Sequence, residues 1–129
     1  MPGRILVAED DPQMLLLIVE ALRGEGHQVE HVSDGEQLLE ELTRRPERLP
    51  FDLIVSDIRL PTLSGLQVVE ALREAQRTIP IVLMTAFGDD ETRAEAERLG
   101  VVLVDKPFAL DDLSAPVARL ATPPSAARA

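Results

Sequence analysis

The sequence predicts a doubly wound α/β domain, in which a five-stranded parallel sheet lies between two layers of helices. Short apolar runs alternate along the chain with amphipathic segments that are long enough to form helices. The runs are almost continuously apolar, which is typical of strands covered by helices on both faces. Together the two observations predict five repeats of a strand followed by a helix in a three-layer architecture.

The five predicted strands are the short apolar runs themselves. The second run, Val-Glu-His-Val, is the least apolar of the five and is therefore predicted to form an edge of the sheet. The predicted strands cover residues 5–8, 29–32, 53–55, 79–84 and 101–104.

The predicted helices lie between and after these strands, at residues 13–23, 35–45, 65–76, 89–99 and 110–120. Gly24 and Gly26 are expected to end the first helix and Gly100 the fourth, because glycine is the common residue just past a helix C-terminus. Pro116 lies inside the last predicted helix, where it either kinks the helix or delays its start. The apolar face of that helix is expected to pack on the sheet, with a dimer contact as the alternative; it comprises Leu110, Leu113, Val117 and Leu120.

Composition restricts the class of protein. With 129 residues and 45% hydrophobic residues, the chain is expected to form one domain, residues 1–121, followed by a linker-like or disordered tail, residues 122–129. The absence of cysteine excludes disulfides, cysteine zinc sites and a thiol nucleophile. A net charge of −10 and an aromatic content of 2% argue against nucleic-acid binding. The N-terminus has neither a signal peptide nor a membrane span, so we expect a cytoplasmic protein without a membrane partner.

Polar residues directly follow four of the predicted strands. Doubly wound sheets bind ligands beyond the carboxyl ends of their strands, so these residues are expected to converge at one rim. Glu9, Asp10 and Asp11 follow the first strand, and the other three residues are Asp57, Thr85 and Lys106.

A cluster of carboxylates needs compensation, because two of them about 4 Å apart repel by about 4 kcal/mol at an effective dielectric constant of about 20. A shared proton could offset the repulsion, but Mg²⁺ suits a hard, all-oxygen site that also admits a phosphoryl oxygen. Lys106 would add a compact cation and Thr85 a hydroxyl donor. Asp11 is better explained as the N-cap of the first helix, with Pro12 at its first position.

Four motifs in order, ILVAEDDP, SDIRLP, LMTAF and VDKPF, resemble the receiver domains of bacterial two-component response regulators over about residues 4 to 120. The resemblance implies a flavodoxin-like sheet with strand order 2-1-3-4-5. It also implies that Asp57 is the phosphoacceptor. Mg²⁺, for which Mn²⁺ is expected to substitute, would be held by Glu9, Asp10, Asp57 and the backbone carbonyl of Arg59.

The same resemblance implies a signalling role for the chain. Thr85 and Lys106 would hold the phosphoryl oxygens, and the peptide bond between Lys106 and Pro107 is typically cis in the family. A histidine kinase or phosphotransfer protein would supply the phosphoryl group. The face formed by the fourth helix, fifth strand and fifth helix would then act on a downstream protein or a linked output domain, or form a homodimer. The chain would not be an enzyme, apart from assisting its own phosphorylation and slow autodephosphorylation.

Some positions depart from the family's pattern. Leu103 stands where many receiver domains carry an aromatic residue that reports the switch. Arg59 and Phe87 occupy positions that tune autodephosphorylation, and both are bulky; we hypothesise that they hinder the attacking water and prolong the phosphorylated state. The fourth helix is expected to be weakly held, with Ala94, Ala96 and Leu99 as its apolar anchors.

Other functions fit the residues less well. A haloacid-dehalogenase-like phosphatase requires a second Asp two residues after the nucleophile, where this chain has Arg59. A flavin-binding module needs a phosphate-binding loop after the first strand, where Glu9, Asp10 and Asp11 would repel phosphate. A receiver fold used as a passive docking scaffold stays open, as does the choice between a stand-alone receiver and part of a longer regulator.

Overall fold

The computed structural model describes residues 3–44, 51–75, 78–86, 88–106 and 109–121. Strands and helices alternate along them, and the sheet is parallel with the order β2-β1-β3-β4-β5. This confirms the doubly wound fold class, the predicted strand order and the edge position of β2. The elements are β1 (Arg4–Ala8), α1 (Pro12–Gly24), β2 (Gln28–Val32), α2 (Gly35–Thr43), β3 (Leu53–Asp57), α3 (Gly65–Glu74), β4 (Ile81–Thr85), α4 (Asp90–Leu99), β5 (Val102–Asp105) and α5 (Leu110–Leu120).

All five strands differ from the prediction by one or two residues at one or both ends: β1 and β2 begin one residue early, and β4 and β5 end one residue late. β4 begins at Ile81 instead of residue 79, since Pro80 has no N–H group to donate to a ladder. β3 continues two residues further, to Asp57, which pairs with Met84. β5 begins one residue late because the Val101 N–H donates to a carbonyl at the end of α4 (3.0 Å) instead of joining the sheet.

Local sequence signals position the helix ends. Pro12 is the first residue of α1, and the Asp11 side chain accepts the Gln13 N–H at 3.0 Å, so the prediction of an N-cap is confirmed. Asp89 caps α4, which therefore begins at Asp90 and not at residue 89. Gly100 ends α4 in the left-handed conformation, as predicted. The predicted last residues of the second and third helices, Arg45 and Gln76, lie outside the described residues.

Helix α5 runs from Leu110 through Pro116 to Leu120, so the alternative of a delayed start is wrong. Leu113 and Val117 are buried and Leu120 is half-buried against the same core. Leu110 shares their face, but it is the first residue of the helix and is 38% exposed, so its predicted burial is wrong.

The core consists of two apolar layers, one on each face of the sheet. One contains Ile5, Val7 and Val55 with residues of α1 and α5; the other contains Leu6 and Ile54 with residues of α2, α3 and α4. Because successive strand residues point to opposite faces, both faces require apolar side chains, which explains the continuous apolar runs. Among the helices of the described residues, none has the length and apolar character needed to cross a bilayer.

Candidate functional site

The site lies at the carboxyl ends of the four neighbouring strands β1, β3, β4 and β5. Glu9 directly follows β1, Asp57 and Thr85 are the last residues of β3 and β4, and Lys106 directly follows β5. Parallel strands in adjacent positions end at the same rim, so the topology brings these four residues together.

Lys106 joins two buried carboxylates. Its Nζ donates to Glu9 Oε1 at 2.9 Å and to Asp57 Oδ2 at 2.7 Å. The Glu9 side chain is 1% exposed and that of Asp57 is 11% exposed. One ammonium group therefore offsets the repulsion between two acids that come from different strands.

Backbone N–H groups hold the second oxygen of each carboxylate. The Asp11 N–H donates to Glu9 Oε2 at 3.1 Å, and the Arg59 N–H donates to Asp57 Oδ1 at 3.0 Å. Both oxygens of both acids therefore have a donor, and the orientation of each carboxylate is fixed. The sequence carries no signal for these two contacts, because they depend on the local path of the chain after β1 and β3.

The electrostatic environment raises the pKa of both Glu9 and Lys106, which disfavours the charge of Glu9 and favours the charge of Lys106. Burial raises the pKa of Glu9, and the Asp57 charge adds to this, although the hydrogen bonds from Lys106 and Asp11 act in the other direction. Burial lowers the pKa of Lys106, but its hydrogen bonds to Asp57 and Glu9 outweigh burial and raise that pKa above its usual value. Lys106 is thus a permanent cation at neutral pH.

Glu9, Asp10 and Asp57 form a donor set suited to a divalent cation. Each brings a carboxylate oxygen to within 4.8 Å of the other two. Octahedral Mg²⁺ takes oxygen ligands at about 2.0–2.1 Å, so opposite ligands are about 4 Å apart. The three acids are near that spacing, and Asp10 is exposed while the other two are buried, which leaves the cluster open to solvent on one side. The residues present therefore fit a hard, partly hydrated ion.

Thr85 is linked to Lys106 through the backbone. The Lys106 N–H donates to the Thr85 carbonyl at 2.7 Å, and Thr85 pairs with Asp105 in the register of β4 and β5. The backbone thus joins Thr85 to both Asp105 and Lys106 at the ends of β4 and β5.

Gly65 lies directly beside Asp57 at the start of α3 and was not predicted as a site residue. Its N–H donates to the Ile58 carbonyl at 2.8 Å, and a Cβ added to Gly65 would lie 2.6 Å from the Asp57 carbonyl oxygen. Only glycine lets α3 begin this close to the end of β3. The available signal was a glycine in the first turn of a predicted helix, where it is a poor helix former.

Three further predictions concern residues outside those that the structure describes. These are the bulky Phe87, the cis peptide at Pro107 and the tail of residues 122–129. The roles assigned to Glu9, Asp10, Asp57, Thr85, Lys106 and the Arg59 carbonyl stay predictions.

Comparison with known proteins identifies the family. The family model for the response regulator receiver domain matches residues 5–118. The transcriptional regulatory protein TcrA of Mycobacterium tuberculosis is 35% identical over 113 residues, which are 87% of this chain and 43% of TcrA. Sporulation initiation phosphotransferase F of Bacillus subtilis is 28% identical over 115 residues, 88% of this chain and 89% of that protein.

The fold comparison agrees with the sequence comparison. The receiver domain of the Francisella response regulator 1452 superposes with a TM-score of 0.83 at 26% identity, covering 92% of this chain and 95% of that one. The chain spans 43% of TcrA and 24% of ZraR from Escherichia coli O157:H7, so it matches only a part of these regulators. The fold, the order of its motifs and the family match agree: the chain belongs to the receiver domains of two-component response regulators.

Proposed function

We propose that this chain is a cytoplasmic, Mg²⁺-dependent phosphoacceptor that takes a phosphoryl group onto Asp57 from a histidine kinase or phosphotransfer protein. The observation that carries the proposal is the shared contact of Lys106 with Asp57 and Glu9 beside the exposed Asp10. A carboxylate that is oriented by hydrogen bonds and compensated by a cation is a suitable acceptor for an electron-poor phosphorus atom.

The transfer exchanges one bond for another. An Asp57 carboxylate oxygen forms a bond to phosphorus, and the bond from phosphorus to the donor's histidine nitrogen breaks, with its electron pair remaining on that nitrogen. Positioning and charge neutralisation supply most of the catalysis in phosphoryl transfer. Lys106 and the Thr85 hydroxyl would bind the phosphoryl oxygens, and the Arg59 N–H, 3.0 Å from Asp57 Oδ1, holds the acceptor in place.

The acids around Asp57 would hold the metal ion. Glu9, Asp10 and Asp57, with the backbone carbonyl of Arg59, are the residues that we assign to Mg²⁺, and Mn²⁺ is expected to substitute. When bound, the ion supplies positive charge next to the phosphoryl oxygens. Lys106 supplies the same kind of charge from the β5 side, so the two cations divide the neutralisation between them.

Phosphorylation would act on the face formed by α4, β5 and α5. It adds about −1.5 to −2 charges next to Thr85 and Lys106. Both residues are attached to the end of β5 by the 2.7 Å backbone hydrogen bond and by the pairing of Thr85 with Asp105. We infer that this face then controls a partner protein or a linked output domain, with homodimerisation through the same face as the alternative.

The test is incubation with acetyl phosphate, with and without Mg²⁺, followed by intact mass measurement. We expect one added phosphoryl group that requires Mg²⁺ and is lost in Asp57→Asn. Asp11→Asn is the matched control, because asparagine also caps a helix, so this variant should retain the adduct. A folded wild-type protein that takes no phosphoryl group under any condition would contradict the proposal and leave a receiver fold that serves as a docking scaffold.

A further inference from the structure

Helix α4 is held to the rest of the molecule unevenly along its length. Its buried residues are Ala96 and Leu99, both in its C-terminal half, whereas Ala94, predicted as an anchor, is exposed. On the side facing α3, an open groove lies between the helices, lined by Leu66, Gln67, Glu70, Glu91, Thr92 and Glu95. Apolar packing therefore fixes the C-terminal half and leaves the N-terminal half to polar contacts.

Those polar contacts are concentrated on Arg93. Its Nη2 donates to Asp105 Oδ1 at 2.9 Å and Oδ2 at 2.8 Å, and its Nε donates to the Gly88 carbonyl at 3.1 Å. We call these three residues the Arg93 clamp. A Cβ at Gly88 would lie 2.4 Å from Asp105 Oδ1, so a larger residue there would have to displace the side chains of the clamp. It ties α4 both to the segment before it and to the end of β5.

The Arg93 clamp is attached directly to the candidate site. Asp105 pairs with Thr85 in the sheet register and precedes Lys106 in the chain. The Lys106 N–H also donates to the Thr85 carbonyl at 2.7 Å. A phosphoryl group bound by the Thr85 hydroxyl and the Lys106 ammonium would therefore act on the two residues that adjoin Asp105, one in the sheet and one in the chain.

The opposite end of α4 is held by a different arginine. Arg73 of α3 donates from Nε to the Leu99 carbonyl at 3.0 Å and from Nη1 to the Ile79 carbonyl at 3.2 Å. Arg73 is half-buried, whereas the side chains of Arg93 and Asp105 are 49% and 52% exposed. Exposed ion pairs contribute little and are easily broken, so the Arg93 end is the one that can open.

We propose that the Arg93 clamp holds the N-terminal half of α4 in the unphosphorylated arrangement, and that phosphorylation of Asp57 is coupled to its opening. Helix α4 would then pivot about the C-terminal end that Arg73 and Leu99 hold. This inference rests on the proposed function and specifies the regulation of the same site. Breaking an exposed ion pair is expected to change the ratio of molecules with a closed clamp to molecules with an open clamp by about two- to fivefold.

The test combines two measurements on Arg93→Gln. Hydrogen exchange of the unphosphorylated protein should become faster at the amides of residues 92–96 and stay unchanged at residues 97–100. Phosphorylation by acetyl phosphate at saturating Mg²⁺ should become about two- to fivefold faster, since a state that phosphorylation stabilises is also expected to favour the reaction. Asp105→Asn should have the same two effects. The double variant should show neither faster hydrogen exchange nor faster phosphorylation than either single variant, because both changes break the same contact.

Arg98→Gln is the matched control. Arg98 lies on the same helix and also makes exposed ion pairs, with Glu95 and Glu70, but none of them reaches β5. This variant should leave the phosphorylation rate at the wild-type value. Exchange unchanged in Arg93→Gln, or faster exchange without a faster reaction, would overturn the inference. A wild-type protein that accepts no phosphoryl group would instead refute the proposed function and the coupling with it, while the exchange data still report whether the clamp exists.

Discussion

Glu9 and Asp57 are two buried carboxylates that share one ammonium group, the Lys106 Nζ, at 2.9 and 2.7 Å. The arrangement orients Asp57, but it holds Glu9 in a place that disfavours its charge, since burial raises the pKa of Glu9. A bound cation would reverse this preference. The same residues therefore favour metal binding and make the metal-free site electrostatically unfavourable.

The raised pKa of Glu9 predicts a pH dependence of stability in the metal-free protein. A carboxyl group whose folded pKa lies above its unfolded value binds protons more tightly in the folded state, so its ionisation opposes folding as the pH rises. The free energy of unfolding of the wild type minus that of Glu9→Gln should therefore decrease as the pH rises above about 4.3, the ordinary pKa of a glutamate carboxyl group. Urea unfolding in EDTA measures this difference, and an increase above that pH would contradict the assigned direction.

Two bulky side chains are predicted to prolong the phosphorylated state. Arg59 is exposed and lies two residues after Asp57, the proposed phosphoacceptor, and Phe87, the second of the two predicted tuning residues, lies outside the described residues. If they hinder the attacking water, Arg59→Ala and Phe87→Ala should shorten the phosphoryl half-life. The decay of the mass adduct after removal of acetyl phosphate measures it, and an unchanged half-life in both variants would refute the hypothesis.

Helix α3 begins so close to β3 that its first residue has no room for a side chain. An added Cβ at Gly65 would lie 2.6 Å from the Asp57 carbonyl oxygen. Gly65→Ala should therefore lower the free energy of unfolding by about 1–3 kcal/mol, the usual cost of overpacking, and should also slow phosphorylation by displacing Asp57.

Gly24 at the end of α1 offers a direct comparison, since an added Cβ there meets no atom within 4 Å. Gly24→Ala should leave the phosphorylation rate unchanged and should not destabilise the protein. Urea unfolding of both variants provides the measurement. Equal stability changes for the two glycines would show that the contact with β3 does not matter.

The elements themselves could be predicted from the sequence, because apolar periodicity and capping residues act locally. The prediction was wrong where backbone hydrogen bonding decided the boundary, as at Pro80, which cannot donate to a strand, and at Val101, which bonds to α4. Exposure at a helix end was also missed for Leu110, whose apolar spacing alone predicted burial.

The candidate site was predictable only in outline. Strand ends indicated that Glu9, Asp57 and Lys106 would meet, because parallel topology requires it. The contact of Arg93 with Asp105 joins residues 12 positions apart in different elements, and no local pattern indicates such a pair. The tertiary fold, and not the residue types alone, brings Arg93 and Asp105 into contact.

At the scale of the whole molecule, the parallel sheet places acids that repel one another at one rim, so a bound cation should stabilise the fold. At a Mg²⁺ concentration about 100 times its dissociation constant, we expect about 2.7 kcal/mol of added stability relative to EDTA. Asp10→Asn should reduce the gain and Asp11→Asn should retain it. Thermal unfolding with and without Mg²⁺ measures the effect, and equal gains in both variants would contradict the assigned donor set.

The identity of the phosphorylated residue can be determined directly by chemical trapping. An aspartyl phosphate is an acyl phosphate, and borohydride reduces it to homoserine at the modified position. After reaction with acetyl phosphate and Mg²⁺, tandem mass spectrometry of the reduced protein should find homoserine at position 57 and aspartate at positions 10 and 11. Homoserine at another position, with unmodified Asp57, would contradict the assignment of Asp57 as the phosphoacceptor.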